Sequence, residues 1–197
     1  MDGRDGMEAA APLAKRLTSE EFFALFPDED GVRRELIGGE VFVTPTPIVR
    51  HQILVQRLGL SIARHLEAYP SQGEVFFVPL DVVMSPSDVV EPDIQVILGD
   101  QSEILGEKNV QGTPALVVEI LSPSTRKRDL TIKSQLYERE GVREYWIVDP
   151  KRSSIVVRRR SPAGALTQVD MLDGSSGQVL QTPLLPGWSL ELASFFR

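Results

Sequence analysis

Between positions 48 and 69, Leu54, Leu58, Ile62 and Leu66 recur at strict i+4 spacing, while Arg57, Arg64 and Glu67 fall elsewhere around the wheel. That pattern predicts a long amphipathic helix with one face laid on a sheet. Upstream, Thr18 followed by Ser-Glu-Glu-Phe-Phe-Ala-Leu-Phe-Pro combines a cap, early acids and a proline stop, which predicts a short helix. Two short alternating runs, from Arg34 to Val43, enclose Gly38-Gly39 and predict a hairpin closed by Pro45 and Pro47. Downstream of the long helix, 74–84 reads as a strand kinked near Pro79 and 89–98 as a second strand carrying Asp93. The turn Ser85-Pro-Ser-Asp88 makes those two antiparallel neighbours.

The run Ala115-Leu-Val-Val-Glu-Ile-Leu121 is apolar except for one acid, Glu119. Its length and branching predict a strand buried on both faces. Ser122-Pro-Ser-Thr125 then supplies capping oxygens for a helix through Asp129, Lys133, Leu136 and Tyr137, which Gly141 ends before a strand over 144–149. A strand-helix-strand unit of this kind makes its two strands parallel. Later strands are expected at 153–159, 165–171 and 187–192. The order is helix, three strands, helix, strand, with a hairpin before it and strands after it: an α/β (α+β) fold built on a mixed sheet with helices against it. The first 16 residues show little periodicity and are expected to form a loose tail, with 17–197 as one domain.

Composition narrows the function classes. A chain of 197 residues, 42% hydrophobic and 25% charged, has the material of one ordinary soluble domain. It has no cysteine, which removes disulfides, thiolate metal sites and a cysteine nucleophile. No stretch reaches the length of a membrane span, and the acidic start is unlike a secretory signal, so a cytoplasmic protein is expected. The net charge of −7 is uneven: residues 119–160 hold eleven Lys/Arg against six acids, so that segment is +5 and the rest is −12. A basic surface beside an acidic pocket suits a phosphodiester substrate; the alternative is that Arg126 to Arg128 and Arg158 to Arg160 are solvated faces.

An ionised Glu119 inside an apolar strand costs of order 2 kcal/mol or more unless something pairs with it. A divalent cation shared with Asp93 is one economical partner, because paired carboxylates supply the hard oxygens that Mg²⁺ or Mn²⁺ takes. Lys133, one to two turns into the next helix, has the reach to return toward both acids and to orient a water or steady developing charge. The alternative for Lys133 is an exposed pairing with Asp129 or Tyr137 on the helix surface. Asp81, on the strand before Asp93, is a candidate for an outer contact to the metal or a surface acid. Glu35 and Glu40 flank the hairpin turn; Glu35 is a candidate to approach the metal from the helix-side layer, though exposure is the simpler expectation. Ser122 and Ser124 have no nearby histidine and read as caps, and Trp146 reads as core.

Glu35-Leu-Ile-Gly-Gly-Glu40, Arg50-His51-Gln52, Val90-Glu-Pro-Asp93, and above all Leu116-Val-Val-Glu-Ile-Leu-Ser-Pro-Ser-Thr-Arg126 with Asp129-Leu130, Lys133, Tyr137 and Gly141-Val-Arg-Glu-Tyr-Trp-Ile-Val-Asp-Pro150 resemble the Uma-two restriction endonuclease family of the PD-(D/E)XK nuclease-like superfamily. The resemblance implies a restriction-endonuclease-like core, a metal-dependent nuclease acting on DNA, and Asp93 and Glu119 as its two acids. The superfamily's lysine two residues after the second acid is replaced here by Leu121, and Lys133 is the substitute. His51 stands where the family also has a histidine, and would contact a metal-bound water or phosphate unless it is a solvated surface group. A homodimer is a further expectation, since two strands must be cut. The rival expectation is a catalytically inactive nuclease-fold module for binding or assembly in a mobile-element or defence system.

Overall fold

A computed structural model describes residues 15–27 and 31–197. The tail expected over the first 16 residues lies outside them except for Lys15 and Arg16, which bond to Glu21 Oε1 (2.6 Å) and the Gly38 carbonyl (3.0 Å).

In chain order the elements are α1 (Ser19–Leu25), β1 (Arg34–Ile37), β2 (Glu40–Val43), α2 (Val49–Ala68), β3 (Gly73–Phe77), β4 (Val82–Ser85), β5 (Asp88–Val90), β6 (Ile94–Leu98), β7 (Val110–Gln111), β8 (Leu116–Ile120), a crossover helix over 126–139, β9 (Glu144–Asp149), β10 (Ser154–Arg160), β11 (Leu166–Asp173), β12 (Val179–Gln181) and β13 (Ser189–Glu191). A last short helix, Leu192–Phe195, follows β13, where the sequence pattern suggested only strand. Thr18 caps α1 through a reciprocal bond with Glu21, as its side chain foretold.

The central sheet has six strands in the order β11-β10-β9-β8-β6-β3. β8 and β9 are parallel, as the crossover requires, and the remaining pairs are antiparallel. A second sheet, β2-β1-β5-β4-β7, lies against the crossover-helix face. The opposite face of the central sheet carries Leu54, Leu58 and Ile62 of α2, together with Trp188 and Phe195 from the C-terminal segment.

One expectation is corrected here. The two strands read over 74–84 and 89–98 each break in the middle, and their halves join different sheets: β4 pairs with β5 in the second sheet, β3 with β6 in the central one. Pro79 and Pro92 mark the breaks, because neither can donate to a ladder. Asp93 therefore sits in the link between β5 and β6 rather than on a strand.

Candidate active site

Four segments meet at one end of the central sheet: the β5–β6 link with Asp93, the exit of β8 with Glu119, the first turn of α2 with His51, and the crossover helix with Asp129 and Lys133. They enclose a cavity of about 70 Å³, room for a few water molecules. Inside-out alternation along β8 explains Glu119. Leu116, Val118 and Ile120 face α2, so Val117 and Glu119 face the crossover helix.

Asp93 is held from two sides: Oδ2 accepts the Ile120 backbone N–H at 2.7 Å and lies 3.0 Å from His51 Nε2. Glu119 accepts from Lys133 Nζ at 2.7 Å and from the Tyr137 hydroxyl at 2.5 Å, both on Oε1. Asp93 Oδ1 and Glu119 Oε2 thus receive no hydrogen bond from the described residues. His51 Nδ1 is buried with no partner.

Lys133 is not the exposed helix-surface group of the alternative reading. It is 3% exposed and bridges Glu119 and Glu35 Oε1, the latter at 2.6 Å. Its segment, Asp129–Lys133, is a π-turn within the crossover helix, a local widening that often accompanies functional residues. Asp129 and Lys133, at its two ends, are both buried and both line the cavity.

Glu35 takes the inward of its two expected places, not the exposed one. It is 2% exposed, because β1 is covered on both sides and its pairing turns the side chain toward Lys133. It also accepts the Glu91 N–H and lies 3.4 Å from Arg128 Nη2. The signal in the sequence was its place in β1 three residues before the Gly-Gly turn, which pattern alone could not assign to an inward side. Asp81 is not brought into this group; it borders a separate groove with Leu80 and Lys108.

The charges do not balance. Glu91, Asp93, Glu119 and Asp129 line the cavity and Glu35 stands behind it on Lys133, five acids against the three cations Arg33, Arg128 and Lys133. Burial pushes the Glu119 carboxyl well above the usual carboxylate range; Lys133 opposes this, while Asp129, Asp93 and Glu35 add to it. Burial likewise raises Asp129 against the pull of Lys133. Burial alone would lower Lys133, but Glu119, Glu35 and Asp129 outweigh it and hold the ammonium above the ordinary lysine value. Burial, reinforced by Glu119, also raises the Tyr137 phenol, which stays a donor.

Among the described residues no three His, Asp or Glu side chains already form a cation cage. The two uncommitted oxygens and the excess of acids over cations nevertheless suit a divalent ion that completes its coordination with water and substrate, the habit of Mg²⁺.

A mixed sheet flanked by helices, with two acids and a lysine gathered at the end of its central strands, is the arrangement of a restriction-endonuclease-like nuclease fold. The model of the Uma2 family, described as "Putative restriction endonuclease", matches residues 19–193, and the chain belongs to that family. The crystal structure of "a putative nuclease belonging to DUF820" from Anabaena variabilis superposes with a TM-score of 0.74 at 19% identity, covering 91% of this chain and 97% of that one. No curated protein matches the chain in sequence. Among the described residues no helix is long and apolar enough to cross a membrane.

Proposed function

We propose that this protein is a cytoplasmic, metal-dependent endonuclease that hydrolyses phosphodiester bonds of DNA. The observation that carries the reading is the convergence of Asp93, Glu119 and Lys133 on one cavity in which acids outnumber cations. Asp93 Oδ1 and Glu119 Oε2 are the oxygens that would hold Mg²⁺ or Mn²⁺. When bound, such an ion polarises a phosphoryl oxygen and acidifies a water.

The protein's own groups supply position and charge. Lys133 spends two of its three N–H donors on Glu119 and Glu35, leaving the third for the attacking water or a phosphoryl oxygen. Because its acids keep it protonated, it acts as a donor and not as a base. His51 and the Ile120 N–H fix the rotation of Asp93, and Tyr137 fixes that of Glu119. In the reaction the water oxygen bonds to phosphorus and gives its proton to solvent as one ester P–O bond breaks and the leaving oxygen takes a proton from solvent, and Lys133 meets the negative charge gathered on the phosphoryl oxygens.

Incubation of linear, supercoiled and single-stranded DNA with Mg²⁺ or Mn²⁺ tests this reading. Glu119→Gln and Asp93→Asn are expected to lower cleavage by at least about 10²-fold and to reduce metal uptake by calorimetry, with folding retained. Unaltered cleavage by Glu119→Gln removes the mechanism. A folded wild type that neither takes up metal nor cuts any DNA form points to a binding module of a mobile-element or defence system.

A further inference from the structure

The acidic cavity does not end at Ser122 and Pro123. The same two residues also border an open groove of about 490 Å³ on the far side of the β8 exit, lined by Arg126, Lys151 and Arg152. Asp149 is the one acid among its described lining residues. The groove thus has two more cations than acids, where acids outnumber cations in the lining of the adjoining cavity.

Asp149 organises this groove from within. It is 6% exposed and sits at the end of β9, where Oδ1 accepts the backbone N–H groups of Lys151 (3.0 Å) and Arg152 (3.2 Å). Its Oδ2 accepts from Arg126 Nη1 at 2.7 Å and lies 3.8 Å from Arg152 Nε. One carboxylate therefore folds the turn that carries two exposed cations and tethers a third. Lys151 has no ion-pair partner among the described residues, and Arg152 keeps most of its guanidinium in solvent. Cations held in this way, side by side and with a single acid among them, form a fixed positive concavity rather than a scatter of solvated charges.

We propose that this groove binds a backbone phosphate of the nucleic acid adjacent to the phosphate being cleaved, with Lys151 and Arg152 as its direct contacts and Asp149 and Arg126 as positioning residues. This rests on the nuclease reading above and gives it a direction. The scissile phosphate lies over the negative cavity and its metal, and the strand continues past Ser122 into the positive groove. Of the eleven cations that make residues 119–160 basic within a protein of net −7, Arg126, Lys151 and Arg152 stand together in this groove. An acidic protein holds a polyanion where its cations are concentrated, and elsewhere repels it.

Binding of a short fluorescein-labelled DNA duplex, followed by anisotropy across a range of NaCl concentrations with Ca²⁺ in place of Mg²⁺, tests the proposal. Three proteins are compared: wild type, Lys151→Gln/Arg152→Gln, and Arg64→Gln, an exposed cation of α2 outside both cavities. The double variant is expected to bind about tenfold more weakly, with the slope of log affinity against log salt reduced by about 2. Arg64→Gln is expected to match wild type. A double variant with the affinity and slope of Arg64→Gln overturns the groove and leaves the nuclease reading standing. A wild type that binds no DNA overturns both, and binding of inorganic phosphate alone, unaffected by the double substitution, overturns the groove assignment.

Discussion

At the scale of single residues, the site depends on one buried cation shared by two acids. Replacing Lys133 by Met leaves Glu119 and Glu35 buried without their common partner, and a loss of about 3–5 kcal/mol in urea denaturation is expected. The sign of its pH dependence follows from Glu119, whose folded pKa is raised: the folded state holds that proton more tightly than the unfolded chain does. Stability therefore falls as pH climbs above the unfolded carboxylate value of about 4.3. Without Lys133 to oppose the rise, Lys133→Met is expected to lose more of its stability than wild type does between mildly acidic and mildly alkaline pH. Adding Glu35→Gln removes one of the stranded charges and is expected to restore part of the loss. Glu119 was legible in the sequence because a charge in an apolar run is conspicuous. Glu35 was not, because a four-residue strand gives too few positions to decide which side is inward.

At the scale of elements, the long hairpin divided between two sheets is what carries Asp93 to Glu119. Its outer half is anchored by Asp88, 1% exposed, which accepts from the Gly38 N–H at 2.8 Å and the Ser85 hydroxyl at 2.5 Å and pairs with Arg139 of the crossover helix at 2.8 Å. Burial pushes this carboxyl up, but Ser85, Gly38 and Arg139 together hold it below its usual range. A lowered folded pKa gives stability that is present above the unfolded value of about 3.9 and lost as pH falls through the folded one. Asp88→Asn is expected to be less stable at neutral pH and to show a shallower acid limb in denaturation curves taken at successive pH values.

The β1–β2 turn makes a separate demand. Gly38 and Gly39 both have positive φ (59° and 80°), and a Cβ on Gly39 would come within 2.6 Å of Arg16 Cβ. Gly39→Ala is therefore expected to cost at least about 1 kcal/mol and, by loosening β1, to lower cleavage through Glu35. The hairpin and the crossover unit were plain from turn chemistry and periodicity; the division of the longer hairpin was not. Pro79 and Pro92 show where a ladder must stop, but local sequence does not say which sheet each half will join.

At the scale of the whole molecule, the site end is set by layers on both faces of the central sheet. On the α2 face Trp146 stacks on Trp188 at 5.5 Å, and Trp188 Nε1 donates to Ser61 of α2 at 3.2 Å. Arg57 donates to the Phe195 carbonyl at 2.9 Å, so the C-terminal segment braces the helix that presents His51. Trp188→Ala is expected to lose about 3–5 kcal/mol in thermal or urea unfolding. Any loss of the proposed activity should track unfolding, since Trp188 does not line the acidic cavity. The sequence by itself determined α1, α2 and the crossover helix, the β1–β2 hairpin and the parallel crossover, and it singled out Asp93, Glu119 and Lys133 as candidates. Each of these follows from local periodicity, turn residues, or the cost of a lone charge in an apolar run. Only the tertiary structure decided that Glu35 and Asp129 complete the acidic cluster, that Asp81 stands apart, and that a positive groove opens beside a negative cavity. Those facts depend on which distant segments share a sheet end, and the balance of charge in a cavity is a sum over all of its walls.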